Sequence, residues 1–207
     1  ILLNDCRNFG TIPFSLMARI AFIGTAFLKS FVSQGYFSQK SIDKFMNSLD
    51  TLLSSFKNDL SKFYDKKITK KQFLKKYGHL RPGTYDITVD RYDKENPFLN
   101  DIKFHNVKLL KNHELDFKKI EKILKSNNLT ISANDLFSFI RNSLIMREEL
   151  KFEFTRNLSD ALELIADAAS DLGFFREDIA HLDINTIFSS YKVHTKSKLK
   201  SFWRNKI

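Results

Sequence analysis

The chain has 207 residues, 43% hydrophobic and including 21 Phe, which is ample material for a packed core and argues against disorder. Its 34 Lys and Arg outweigh 24 Asp and Glu, and the resulting charge of +10 favours anionic partners: nucleic acid, an anionic membrane or a phosphorylated ligand. Six Gly and three Pro are too few for an all-β sandwich, and the single Cys6 excludes an intramolecular disulfide and a cysteine-rich zinc site, so a reducing cytoplasm is the expected compartment.

Ile1-Leu2-Leu3-Asn4-Asp5 lacks the charged start and cleavage site of a signal peptide, and the first residue is not Met, so an excised piece of a longer protein is expected. Residues 12–32 are apolar enough to raise the question of a membrane. Arg19 near their middle is costly in a bilayer, so a core helix is expected, with no membrane partner. Pro13 suits the first turn of that helix. Phe14, Met17, Ala21, Phe22, Ala26, Leu28 and Phe31 cover most of its surface, which predicts burial on all sides. Gly35 ends it. Ser38 or Ser41 caps a second helix whose apolar spacing continues to about Tyr64, predicting a helical hairpin over 13–64.

Thr69 is an N-cap for a short helix to Lys76, which Gly78 stops. Residues 77–106, with Pro82, Gly83 and Pro97, lack helical periodicity, and Ile87-Thr88-Val89 is a candidate short strand. Helix resumes near Asp116 and ends at Ser126-Asn127-Asn128. Ser132 with Asp135 resembles a capping box and opens a helical pattern that runs to Leu172, with a candidate break near 157–159 and Gly173 as its C-cap. Short helices at 176–181 and 184–191 and a basic helix ending in Trp203 follow. The expectation is a mainly α, multi-helix bundle forming one domain over 1–207, with one irregular region near 77–106. The lysines are scattered, at 66–67, 70–71, 75–76, 118–119 and 196–200, like solvated helix faces rather than a binding stripe, so nucleic acid is disfavoured.

No phosphate-cradling glycine loop, dinucleotide fingerprint, His-Glu-x-x-His or nucleophile elbow occurs. What remains is charge on segments that otherwise read as buried: Arg19 in the apolar helix, His79, Arg81 and Asp86 in the central loop, and Arg141, Arg147 and Arg156 on the long helix. Buried charge is costly unless paired or bound to an ion, and Arg is well shaped for phosphate or carboxylate. Internal salt bridges, such as Arg147 with Asp86 or Glu148, are the plainer explanation for any single arginine. The run Tyr77 to Ile87 combines Gly, Pro, His, Arg and Asp, which a mere linker rarely needs.

Phe73-Leu74, Tyr77-Gly78-His79, Asp86-Ile87 and Arg91-Tyr92 together resemble the Phe-Leu…Tyr-Gly-His-Arg…Asp-Ile…Pro-Arg pattern of phosphoenolpyruvate synthases and rifampin phosphotransferases. Leu80 stands between His79 and Arg81, where many relatives place Arg directly after His. The form Gly-His-Leu-Arg-Pro-Gly-Thr-Tyr-Asp-Ile is similar to a phosphoenolpyruvate synthase-like branch of capsule or surface-polysaccharide context. Arg147-Glu148 with Lys151-Phe152, and Gly10-Thr11 with Ala18-Arg19 and Ala21-Phe22, extend the resemblance in order along the chain.

The resemblance implies a helical, acceptor-side region of an ATP-dependent enzyme whose other parts are an ATP-grasp domain and a swivelling phosphohistidine domain. With no Thr-Ser-His motif and no ATP-grasp glycine loop here, ATP and Mg are implied for those parts and no cofactor or metal for this one. The isolated piece is expected to be inactive. His79 and Arg81 are the implied catalytic pair; Arg81 with one or more of Arg19, Arg147 and Arg156 binds the acceptor's anionic group or the travelling phosphate, and Asp86, in the same substrate site, holds Arg81 or His79 in place. Pyruvate, an antibiotic hydroxyl or a small amide such as glutamine are all compatible acceptors. The alternatives are a basic helical module that binds nucleic acid or protein, and an architectural spacer between catalytic domains.

Overall fold

Side chains that satisfy the orphan backbone groups at helix ends set most of the boundaries in this chain. The computed structural model describes residues 1–49, 52–94 and 116–207; among these the regular elements are helices and no strand occurs, so the fold is mainly α. The described residues fall into two compact units, one of Arg7–Asp65 with residues 116–153, the other of Ile1–Cys6, residues 66–94 and Phe154–Ile207.

Helical turns precede the expected start at Pro13, beginning in Ile1–Cys6 of the other unit and continuing into the unit that begins at Arg7. Helix α1 (Leu2–Asp5) leads through a π-turn (Cys6–Thr11) into α2 (Ile12–Ser33). A proline inside a helix has no N–H and crowds the carbonyl four residues back. The wider π-turn gives it room, and Ser15 Oγ donates to the Thr11 carbonyl at 2.8 Å. Gly35, at φ +70°, closes α2: Tyr36 N–H donates to Phe31 O and Gly35 N–H to Val32 O, the paired bonds of a Schellman stop.

Ser38 then caps α3 (Gln39–Asn47) by accepting from Ser41 N–H, and α4 (Leu52–Tyr64) follows. The continuous helix expected up to Tyr64 is therefore two, because Ser48 Oγ turns back onto the Phe45 carbonyl and the chain leaves helical geometry there. Asp116 caps α6 (Phe117–Ser126), which ends through Asn128 at φ +57°; α5 lies in the other unit. The long helix α7 (Ala133–Leu172) opens with Ser132 Oγ accepting from Asp135 N–H. Leu28 and Phe31, Ile42 and Phe45, Ile120 and Leu124, and Phe137 and Ile140 form the core of this unit. Phe137 gathers three rings, stacking on Phe31 at 6.2 Å and meeting the edges of Phe45 and Phe117 at 5.2 and 5.6 Å.

Helix α2 is not buried on all sides. Ala21, Gly24, Leu28 and Phe31 are buried, while Ile12, Leu16, Phe22 and Ile23 are exposed and Arg19 lies at the surface. Apolar periodicity counts apolar positions; it does not say how much of the circumference neighbouring helices cover. The helical run Leu2–Ser33 contains an 18-residue window of mean hydropathy 1.6 and is long and apolar enough to cross a membrane, and only 17% of that window is buried.

In the other unit, Thr69 and Gln72 form a reciprocal capping box on α5 (Lys70–Tyr77). Helix α7 continues through 157–159 without a break to Leu172 and closes at Gly173 (φ +78°) by the same paired bonds as α2. Two short helices, α8 (Arg176–Ile179) and α9 (Ile184–Ser189), a 3-10 turn and the basic α10 (Lys196–Arg204) follow. Ala169, Leu172, Ile179 and Trp203 form the core here, and Trp203 Nε1–H donates to Ser190 Oγ at 2.7 Å.

Candidate functional site

The loop from Tyr77 to Lys94 is built from the inside outward. Phe73 and Tyr77 bury the end of α5, their ring centroids 5.0 Å apart. Gly78 keeps a helical φ of −60°, so it is not a left-handed stop; a Cβ there would stand 2.4 Å from Leu74 O and 2.9 Å from Asp93 Cβ. Glycine is needed because the two ends of the loop meet at this point. Asp93 N–H donates to Gly78 O at 3.1 Å and Tyr92 N–H to Leu80 O at 2.8 Å, closing the base of the loop. His79 is buried, and its carbonyl accepts from Ser159 Oγ of α7 at 2.6 Å.

Arg81 holds the loop together. Its side chain is wholly enclosed. Nη1 donates to the carbonyls of Asp86 and Val89 at 3.2 and 3.1 Å, and Nη2 reaches Ser159 Oγ at 3.1 Å and Glu163 Oε1 at 2.8 Å. Burial lowers the pKa of this guanidinium, with the Glu163 carboxylate opposing that shift. The other carboxylate oxygen of Glu163 accepts from Arg176 Nη2 at 2.8 Å, and Arg176 also donates to Ile87 O at 2.8 Å and pairs with Asp90 at 2.9 Å. Burial alone would raise the Glu163 carboxyl; Arg176, Arg81 and Lys94 outweigh it and hold the group below the usual glutamate range. Arg91 bridges the base of the loop to α7, donating to Asp93 at 2.6 Å and to Asp160 at 2.5 Å.

Four cations (Arg81, Arg91, Arg176, Lys94) thus meet four carboxylates (Asp90, Asp93, Asp160, Glu163). The cluster carries no excess positive charge, and an anion seeking Arg81 would have to displace Glu163. The candidate strand at 87–89 is instead a turn. Asp86 Oδ1 accepts from Thr88 N–H at 2.9 Å and Oγ1–H at 2.6 Å, while the carbonyls of Ile87 and Val89 are occupied by arginines. These Thr88 bonds lower the Asp86 pKa. Asp86 meets Arg81 through its backbone carbonyl.

The tip of the loop faces outward. Gly83 and Thr84 both have positive φ, +76° and +56°, and Tyr85 and Asp86 are exposed. A β-branched residue in the left-handed region is an outlier, and such strain concentrates at functional sites.

The remaining expected residues divide. Arg156 shares the unit and stands on α7 at three and seven residues before Ser159 and Glu163, hence along one helical face. Arg19 and Arg147 belong to the other unit, where Arg19 is exposed and Arg147 is half-buried and paired with Glu148. Arg141 is likewise exposed, its guanidinium over the Phe45 ring at 5.7 Å. The sequence reading assigned no role to Ser159, Glu163 or Arg176. The signal for the first two is a polar run inside an otherwise apolar stripe: Phe152, Thr155, Ser159, Glu163, Ala166 and Ala169 are all buried at helical spacing, three of them polar. Arg176 carries no comparable signal. Among the described residues no three His, Cys, Asp or Glu side chains gather as a metal site. No family model, no curated protein and no solved structure matches this chain.

Proposed function

We propose that this chain is the acceptor-binding helical part of an ATP-dependent, phosphohistidine-using phosphotransferase of the phosphoenolpyruvate synthase type, acting on a small molecule of surface-polysaccharide metabolism. The observation that carries the reading is the division of labour in the 77–94 loop. The motif residues Tyr77, His79, Arg81 and Tyr92 are buried anchors, while Gly83, Tyr85 and Asp86 are exposed and Thr84 is half-buried on a hydrogen-bonded base. Phosphoryl transfer asks the protein chiefly for positioning and charge stabilisation, and a loop fixed from inside supplies positioning.

In this reading His79 and Arg81 are positioning residues, and Thr84, Tyr85 and Asp86 meet the acceptor. Asp86 stays ionised at neutral pH, its pKa lowered by Thr88, so it serves as a hydrogen-bond acceptor for a hydroxyl or carboxamide rather than as a strong base. Arg156 is the remaining cation of the proposed set in this unit. ATP and Mg²⁺ belong to other parts of the enzyme, and no residue here is assigned to them.

Calorimetry and thermal shift on this chain with pyruvate, phosphoenolpyruvate, glutamine and other small amides, phosphate, ATP and a short RNA test the reading. One small acceptor should bind, and Asp86→Asn should weaken it at least tenfold with the melting temperature of the free protein little changed. Silence for every small molecule, with RNA binding that fades in salt, refutes it. That second reading has one observation in its favour: after Asp183 the chain has no acidic residue but carries Lys192, Lys196, Lys198, Lys200, Arg204 and Lys206.

A further inference from the structure

The outward face of α2 has an organisation that burial alone does not require. At about 100° per residue, Ile12, Leu16, Ile20 and Ile23 fall within an arc of about 80°, beside the buried arc of Ala21, Gly24, Leu28 and Phe31. They are 51, 56, 38 and 53% exposed. Phe9, turned out of the preceding π-turn, is 79% exposed. At the other end of the helix, Phe27, Ser30 and Phe31 line an open groove of about 330 Å³ completed by Ile123, Leu124 and Leu129. Phe27 stands four residues after Ile23, so the stripe leads into the groove. All of these residues lie in one unit.

We propose that this face is the homodimer interface of the chain, formed by α2 packing antiparallel against α2 of a second copy about a twofold axis near Ile20. Three observations select a second copy. First, a projecting Phe9 and a receiving groove at Phe31 lie on one helix, 22 residues or roughly 33 Å apart, with Ile20 midway. A twofold axis at Ile20 brings each Phe9 over the partner's groove, as a self-complementary interface requires. Second, the stripe is narrow and spaced by three and four residues, the pattern of a helix–helix seam. The arc beyond it carries Ser15, Arg19, Thr25 and Lys29 together with Phe22, which does not suit a helix lying in or spanning lipid. Third, at these exposures the five side chains offer on the order of 500 Å² per copy, so two copies bury roughly 1,000 Å², the lower bound for a specific interface before the groove lining is added. The axis brings the two Arg19 side chains near each other, so dimerisation strengthens with salt through screening of like charges.

Sedimentation velocity across 1–100 µM and a cysteine cross-link test this arrangement. Leu16→Asp alters an exposed position, so helicity should be retained while the dimer weakens at least 100-fold. Asn8→Cys with Ser30→Cys should cross-link between copies, and Asn8→Cys alone should not. A wild-type chain that stays monomeric at 100 µM overturns the proposal, as does a dimer indifferent to Leu16→Asp. Cross-linking by Asn8→Cys alone reports a parallel pair and overturns the axis. Flotation of a monomeric wild type with vesicles of anionic phospholipid, abolished by Leu16→Asp, assigns the face to a lipid surface instead.

Discussion

Replacing Glu163 with Gln removes one negative charge that two arginines share. Glu163 is 6% exposed; Arg81 Nη2 and Arg176 Nη2 each lie 2.8 Å from one of its carboxylate oxygens, and the Arg81 side chain has no exposure of its own. Breaking a buried ion pair from one side costs about 3–5 kcal/mol, because the surviving charge stays buried without its partner. Gln keeps one acceptor oxygen and Arg176 retains Asp90, so the low end, about 3 kcal/mol, is the expected loss. The folded pKa of Glu163 is depressed, so its contribution is fully present above the unfolded value near 4.3 and is lost as pH falls through the folded value. The gap between wild type and Glu163→Gln should therefore be wide at pH 7 and close in the acid range below about pH 4. Trp203 is the single tryptophan and sits in the core of the same unit, so its fluorescence in a urea titration reports this unit directly. A gap under about 1 kcal/mol at pH 7, or one of equal size at pH 7 and pH 3.5, would refute the shared-carboxylate reasoning.

The same fluorescence assay checks three further substitutions. Ser159→Ala strips the hydrogen bond from the buried His79 carbonyl and one acceptor from Arg81, and should cost about 1–3 kcal/mol. Gly78→Ala places a Cβ 2.9 Å from Asp93 Cβ and 2.4 Å from a carbonyl oxygen; the base of the loop must open, with a loss of at least about 2 kcal/mol. Thr84→Gly relieves a left-handed φ of +56° and should leave the unit as stable or up to about 1 kcal/mol more so, while lowering acceptor affinity if Thr84 meets the ligand.

What could be seen from sequence was what is local. Ser38, Thr69, Asp116 and Ser132 cap helices and Gly35 and Gly173 end them, because a cap and its partner lie within a few residues of each other. The π-turn was missed because Pro13 reads equally well as a first-turn residue. Ile87-Thr88-Val89 has strand composition, but two of its carbonyls are taken by arginines, one of them Arg176, 89 residues away. Glu163 was missed for the same reason: its partner Arg81 is 82 residues off, and no period in the sequence encodes that distance. His79, Arg81 and Asp86 were singled out by residue type alone. Their composition marked the loop, but which side chains turn inward depends on α7, which supplies Ser159 and Glu163 to the buried side.

The closed base of the 77–94 loop has a consequence for how this protein can vary over evolutionary time. The anchors are fixed by partners on α7 and α8, so changes there fall first on folding. At the tip the side chains of Thr84 and Tyr85 bear little of that burden, while Asp86 still accepts from Arg81 and Thr88. If the tip meets the proposed acceptor, ligand preference and foldability are encoded largely in separate stretches of the same short loop, and a library confined to Thr84 and Tyr85 would vary the first while leaving the bonds of Arg81 and Asp86 in place.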